Sequence, residues 1–259
     1  MPSNSESLMF WAREFKGSRL RCLQLTSLQN ESVADVLNQL VEPHAHVDAH
    51  ALWMPRGMLA PNEVELGRTE EFLSNQQRAQ LIRWWLAVGL DSATIPNWDI
   101  VSNCTIDGRS GLVLVEAKAH PTELNEKDSS GATGENGKRI EEALAEAERE
   151  LNLSTPGWAL DRHSHYQLSN RFAWAWKVAS MGVPVVLVYL GFLNATEMLT
   201  DSRQIFRTAE DWENRVRDYS KGVVPPVIWN AELSVKSTQL IALIRAADVT
   251  VHAQVMMAR

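Results

Sequence analysis

Three side chains in this sequence have the types and spacing to do chemistry together: Asp99, Glu116 and Lys118. They flank Asp107-Gly108, a pair that tolerates positive φ at both central positions of a two-residue hairpin turn. With Ile106 and Arg109 as first partners, Asp99 falls across from Glu116, their Cβ atoms about 4.5–5.5 Å apart. Side chains alternate along a strand, so Lys118 shares the face of Glu116. Opposed like charges destabilise a sheet and raise one carboxyl pKa, so this patch needs compensation. One reading is a structural ion cluster neutralised by Lys118. The other is a divalent-cation site, in which carboxylate oxygens hold Mg²⁺ or Mn²⁺ and the ion keeps waters for a phosphate substrate. Lys118 would then hold developing charge or orient the attacking water.

The elements that must position these groups can be read around them. Leu112, Val113, Leu114 and Val115 are apolar on both faces, as expected of a covered strand. Upstream, Ser74 or Asn75 caps a helix in which Ala79, Ile82, Leu86 and Gly89 form a stripe, widened by Leu81, Trp84, Trp85 and Val88. Downstream, residues 138–151 are rich in Ala and Glu and read as a helix with Ile140, Leu144, Ala147 and Leu151 inward. Its glutamates would face away from a polyanion. Residues 161–181 read as a second helix and 183–190 as a buried strand, parallel to its neighbour after this crossover.

The helix over 161–181 carries a second candidate constellation. Gln167, Asn170, Arg171, Trp174 and Lys177 fall on one helical face, a mixed stripe suited to phosphate and backbone contacts. Arg171 also reads as a permanent counter-ion of Glu116 or Asp99. The polar stretch 125–138 reads as a mobile loop able to fold over a substrate and carry Lys138 and Arg139 to phosphates. It is not a nucleotide-binding phosphate loop, because Ala132 and Arg139 break the required Gly and Ser/Thr positions.

Asp99 followed by Glu116-Ala117-Lys118 at the end of an apolar strand resembles the Asp…(Asp/Glu)-x-Lys signature of the restriction-endonuclease-like, PD-(D/E)xK nuclease superfamily. The resemblance spans roughly residues 73–190. It departs from the pattern where Trp98, rather than proline, precedes the first acid. It implies an α/β restriction-endonuclease-like core, a mixed central sheet flanked by helices, and Mg²⁺-dependent hydrolysis of DNA phosphodiesters. Asp99, Glu116 and the Ala117 carbonyl would hold the metal, Lys118 would assist the water, and Gln167 would steady the centre. The superfamily's occasional additional acid would correspond to Glu70 or Glu71.

The expected organisation is an N-terminal extension over 1–60, the core over 61–195 and a C-terminal addition over 196–259. In the extension, 20–28 reads as a strand and 32–40 as a helix. In the addition, 210–219 and 238–246 read as helices, the four residues from Val223 to Pro226 as a rigid linker, and 249–255 as an edge strand. His44, His46 and His50 alternate closely enough to suggest zinc, making a zinc hydrolase one alternative. A catalytically inactive nuclease-fold binding or assembly module is another. A net charge of −7 excludes coating nucleic acid by bulk charge, so any DNA contact needs a local patch. With two cysteines, no signal-like start and no long apolar run, the expectation is a cytoplasmic protein without a membrane span, with homo-oligomerisation left open.

Overall fold

The hairpin forms with the expected register. Asp107 and Gly108 both take positive φ, 48° and 75°, and the ladder runs from Ile106 opposite Arg109 to Ile100 opposite Val115. Its strands are β2 (Ile100–Ile106) and β3 (Arg109–Lys118). The structure is a computed structural model and describes residues 15–87 and 93–249.

Four further strands complete one mixed sheet: β1 (Trp53–Met54), β4 (Val185–Phe192), β5 (Ala231–Val235) and β6 (Thr238–Ala247), in the order β1-β2-β3-β4-β6-β5. β4 lies parallel to β3, and β6 parallel to β4. Between β3 and β4 the chain forms two helices, α4 (Gly134–Ser154) and α5 (Tyr166–Ser180). The other α-helices among the described residues are α1 (Gly17–Thr26), α2 (Asn30–Val41), α3 (Asn75–Trp85) and α6 (Ala209–Tyr219). None is long and apolar enough to cross a membrane. The chain is thus an α/β protein with a six-stranded mixed sheet.

Alternation along the strands feeds two cores. Leu112, Leu114, Val185, Leu187, Leu240 and Ala242 face one cluster, which takes in α3 to α6. Val113, Val115, Val186, Val188, Ile241 and Leu243 face the other, which α1 and α2 cover through Cys22, Leu25, Val33 and Leu37. Coverage on both sides explains why the middle of β3, β4 and β6 is apolar on both faces. Glu116 and Lys118 belong by parity to the face carrying α5.

Of the two expected caps, Ser74 takes the role, in a capping box with Gln77. The helix ends at Trp85, and it buries Leu81, Trp84 and Trp85 rather than the stripe centred on Ala79 and Ile82, which stay half-buried. Val88 and Gly89 lie outside the described residues. Trp84, Trp85 and Trp174 pack edge-on or tilted against one another, so the wide indoles decide which face turns inward.

Several expectations are corrected. Of residues 20–28, those up to Thr26 lie in α1 and none in a strand, because a short apolar run that is buried on most sides carries no usable period. Residues 238–246 form β6, not a helix; apolar neighbours on both sheet faces make its pattern continuous. The true edge strand on that side is β5, while nearly all of 249–255 lies outside the described residues. Val223 and Val224, expected in a rigid linker, are core residues.

Gly191 has a packing role on β4. A Cβ there would meet the Trp212 ring at 2.4 Å, and this approach lets the indole Nε1 donate to the Tyr189 carbonyl at 3.2 Å. Gly191 is also the ladder partner of Lys118, so the same contact sets the height of β4 beside the candidate site.

Candidate functional site

Where β3 ends against the start of α5, a cleft of about 450 Å³ opens. It lies at the C-terminal end of a strand in a parallel pair, where α/β sheets commonly place their ligands. Asp99, Glu116, Ala117 and Lys118 line it, joined by Gln167, Asn170 and Arg171 from α5. The hairpin and one helix face therefore converge as their spacing predicts.

Asp99 sits just ahead of β2, outside the ladder, and its Oδ2 accepts the Ala117 N–H at 2.7 Å. That bond takes the place of the ladder pairing that would have set it opposite Glu116, and holds the two carboxylates on one wall. Glu116 is 1% exposed, and its two oxygens accept from different cations. Lys118 Nζ donates to Oε1 and Arg171 Nε to Oε2. Arg171 also donates to Asn170 Oδ1 at 2.8 Å and to the Asn97 carbonyl at 2.7 Å, with its guanidinium 4.8 Å from the centre of the Trp98 ring. The counter-ion reading of Arg171 is thus realised on Glu116.

Charge and burial push the two acids apart. Burial raises the Glu116 pKa, but Arg171 and Lys118, by charge and hydrogen bonds, outweigh it and hold the carboxyl below its ordinary value. Asp99 moves the other way, to about 7; burial and then the Glu116 charge raise it, opposed by Lys118 and the Ala117 N–H. Burial disfavours the Lys118 ammonium, yet Glu116 and Asp99 more than compensate and raise its pKa.

Sequence reasoning missed Glu63, Asn97 and Asp128, which also line the cleft. Glu63 arrives through a single antiparallel bridge, Val64 to Trp98, whose register sets it opposite Asp99. One bridge leaves no periodic trace, so no sequence signal marked it. Glu63 lies 3.5 Å from Arg19 and adds to the charge that raises Asp99. Glu70 and Glu71 are exposed and do not line the cleft; Glu70 lies 3.8 Å from Arg78.

Three predicted substrate contacts lie elsewhere. Lys138 and Arg139 belong to the first turns of α4, not to a loop. Lys138 pairs with Glu135 at 3.2 Å, and Arg139 bonds the Arg83 carbonyl and Glu142. Lys177 bonds Glu146 on α4 at 2.9 Å and lies over the Trp84 and Trp176 rings, while Trp174 is wholly buried. The stretch before α4 is also not a free flap. Asp128 Oδ2 accepts the Gln167 N–H at 2.9 Å, and Ser130 N–H reaches the Arg162 carbonyl at 2.8 Å, tying it to the start of α5.

The histidines of the zinc alternative do not assemble. His46 makes a backbone bridge to Thr105, and no group of three or more His, Cys, Asp or Glu that could hold a metal occurs among the described residues. A Mg²⁺ ion, which takes one or two carboxylates and fills its remaining positions with water, asks for less. The donors at the cleft are hard oxygens, and Asp99 Oδ1 accepts no hydrogen bond from the described residues. That donor chemistry fits a hard divalent ion, although Glu116 would have to share its oxygens with two cations. No protein-family model matches this chain, and no curated protein or solved structure matches it.

Proposed function

We propose that this protein is a metal-dependent nuclease of restriction-endonuclease-like architecture, hydrolysing phosphodiester bonds with Mg²⁺ or Mn²⁺. The observation that carries this reading is the meeting of Asp99, Glu116 and Lys118 in one cleft at the end of β3. Asp99, Glu116 and the Ala117 carbonyl would hold the ion. When bound, it would supply charge to the phosphoryl oxygens and lower the pKa of the attacking water.

The chain's own groups divide the remaining work. Lys118, raised in pKa and bonded to Glu116, stays an ammonium and offers protons to a phosphoryl oxygen gaining charge. Arg171 fixes the Glu116 carboxylate from the opposite side, and Trp98 backs the guanidinium. Gln167 lines the cleft in the first turn of α5, which Asp128 anchors through the Gln167 N–H, and its amide would steady the centre. Incubation of labelled oligonucleotides with Mg²⁺, Mn²⁺ or EDTA tests the reading. It expects cleavage in either metal and none in EDTA.

One observation favours a second reading, a catalytically inactive binding module. Both Glu116 oxygens are engaged by Lys118 and Arg171, so its buried charge is compensated without an ion. Calorimetric titration with Mn²⁺ separates the two. The nuclease reading expects saturable heat that disappears in Asp99→Asn, and the binding module expects none.

A further inference from the structure

Both cations of the cleft are held by its acid, which leaves Lys118 to meet the one reacting phosphate. Lys118 and Arg171 both bond Glu116, and no other Lys or Arg among the described residues lines the cavity. Four carboxylates face these two cations, since Glu63 and Asp128 join Asp99 and Glu116. A wall of this sign cannot track several phosphates, which is how proteins that grip duplex nucleic acid gain affinity. The basic side chains that the sequence pattern assigns to phosphates, Lys138, Arg139 and Lys177, bond to partners on α3 and α4 instead.

Beside its acids, the cleft offers neutral amides. The side-chain amides of Asn97 and Gln167 make no hydrogen bond to the described residues, and Asn170 uses only Oδ1, which accepts from Arg171. They descend from the rim inward: Asn97 is exposed, Gln167 half-buried and Asn170 5% exposed. Amides of this kind match the donor and acceptor edges of a nucleobase or the hydroxyls of a sugar. The acid at the floor, Glu116, is 1% exposed, so a reacting phosphate must enter rather than rest on the rim. A cavity of about 450 Å³ has the size of a small-ligand site and suits one nucleotide unit.

Building on the nuclease reading of this same site, we infer that the substrate is an unpaired strand of DNA or RNA. The cleft admits it one nucleotide at a time and holds base and sugar by neutral hydrogen bonds rather than gripping a duplex by its phosphates. A duplex presents its bases stacked and paired, so the amides would have nothing to bind without unstacking it.

The test uses the full-length protein, Mg²⁺ and fluorescein-labelled oligonucleotides of one sequence: single-stranded DNA, single-stranded RNA and their duplexes. At least one single strand is expected to be cleaved roughly tenfold or more faster than its duplex, and a preference for DNA or RNA would identify the sugar that fits. The slope of log rate against log salt is expected near about −1, as for one or two phosphate contacts at about −0.7 each. Asn97→Ala is expected to raise KM for the preferred strand several-fold without changing the Mn²⁺ affinity measured by calorimetry. Equal or faster duplex cleavage, a slope steeper than about −4, or an unchanged KM in Asn97→Ala overturns the inference and leaves the nuclease reading standing. Absence of cleavage on all four substrates, with no Mn²⁺ heat, overturns both.

Discussion

Arg171 Nε donates to Glu116 Oε2, the carboxylate oxygen that Lys118 leaves free. A helix and a strand 55 residues apart are therefore joined by one charge pair inside the fold. Removing Arg171 leaves Glu116 with Lys118 as its one cation and one buried carboxylate oxygen without a donor. Arg171→Met is expected to destabilise the protein by about 1–3 kcal/mol, read as a lowered urea midpoint with an unchanged m-value. Arg171→Lys should recover part of the loss, because it restores the charge but not the fork that also reaches Asn97 and Asn170. Equal stability of wild type and Arg171→Met would show that the pair contributes nothing.

Asp99 gives stability a pH dependence. Its folded pKa is about 7, against about 3.9 in an unfolded chain, so between these values the folded state binds the extra proton. Stability from this group is full below about pH 4 and is lost as pH rises through about 7. Asp99→Asn removes the charge and should raise Tm relative to wild type, more at pH 8 than at pH 5 and least near pH 4. The opposite trend would mean that the carboxylate is stabilised by its neighbours.

The same ionisation should appear in catalysis. Ligation and charge compensation at this site need the Asp99 carboxylate, so the cleavage rate at limiting Mg²⁺ should rise with pH and level off above about 7. A flat profile from pH 5.5 to 8.5 would contradict this role for Asp99.

Gly191→Ala tests how β4 is set beside Lys118. The added methyl meets the Trp212 ring, so a loss of about 1–3 kcal/mol in unfolding free energy is expected, as for other overpacked cores. Pairing it with Trp212→Leu should recover part of the loss, since the ring is what the methyl meets.

Much of this site was legible because it depends on local rules. Asp107-Gly108 dictates the turn, the turn dictates the register, and parity places Glu116 and Lys118 on one face. The helical spacing of Gln167, Asn170 and Arg171 is equally local, and all three reach the cleft. Lys177 shows where such reasoning stops: two turns further along, the same face meets α4, and Glu146 takes the charge. Glu63 was invisible because a single bridge between distant segments delivers it. β6 was misread because a strand covered on both faces loses the alternation that identifies strands. Its turn from β5, Lys236-Ser237, also lacks the glycine or asparagine that marks a tight hairpin, though Lys236 takes a positive φ of 52°.

The central claim concerns what Lys118 does beside the two acids, and single-turnover cleavage of a labelled oligonucleotide at saturating Mn²⁺ measures it most directly. The account predicts that Lys118→Ala binds Mn²⁺ yet cleaves about 10²–10³-fold more slowly than wild type, the usual loss when one charge-stabilising donor is removed. Cleavage by Lys118→Ala at the wild-type rate, with its fold intact by circular dichroism, would contradict it.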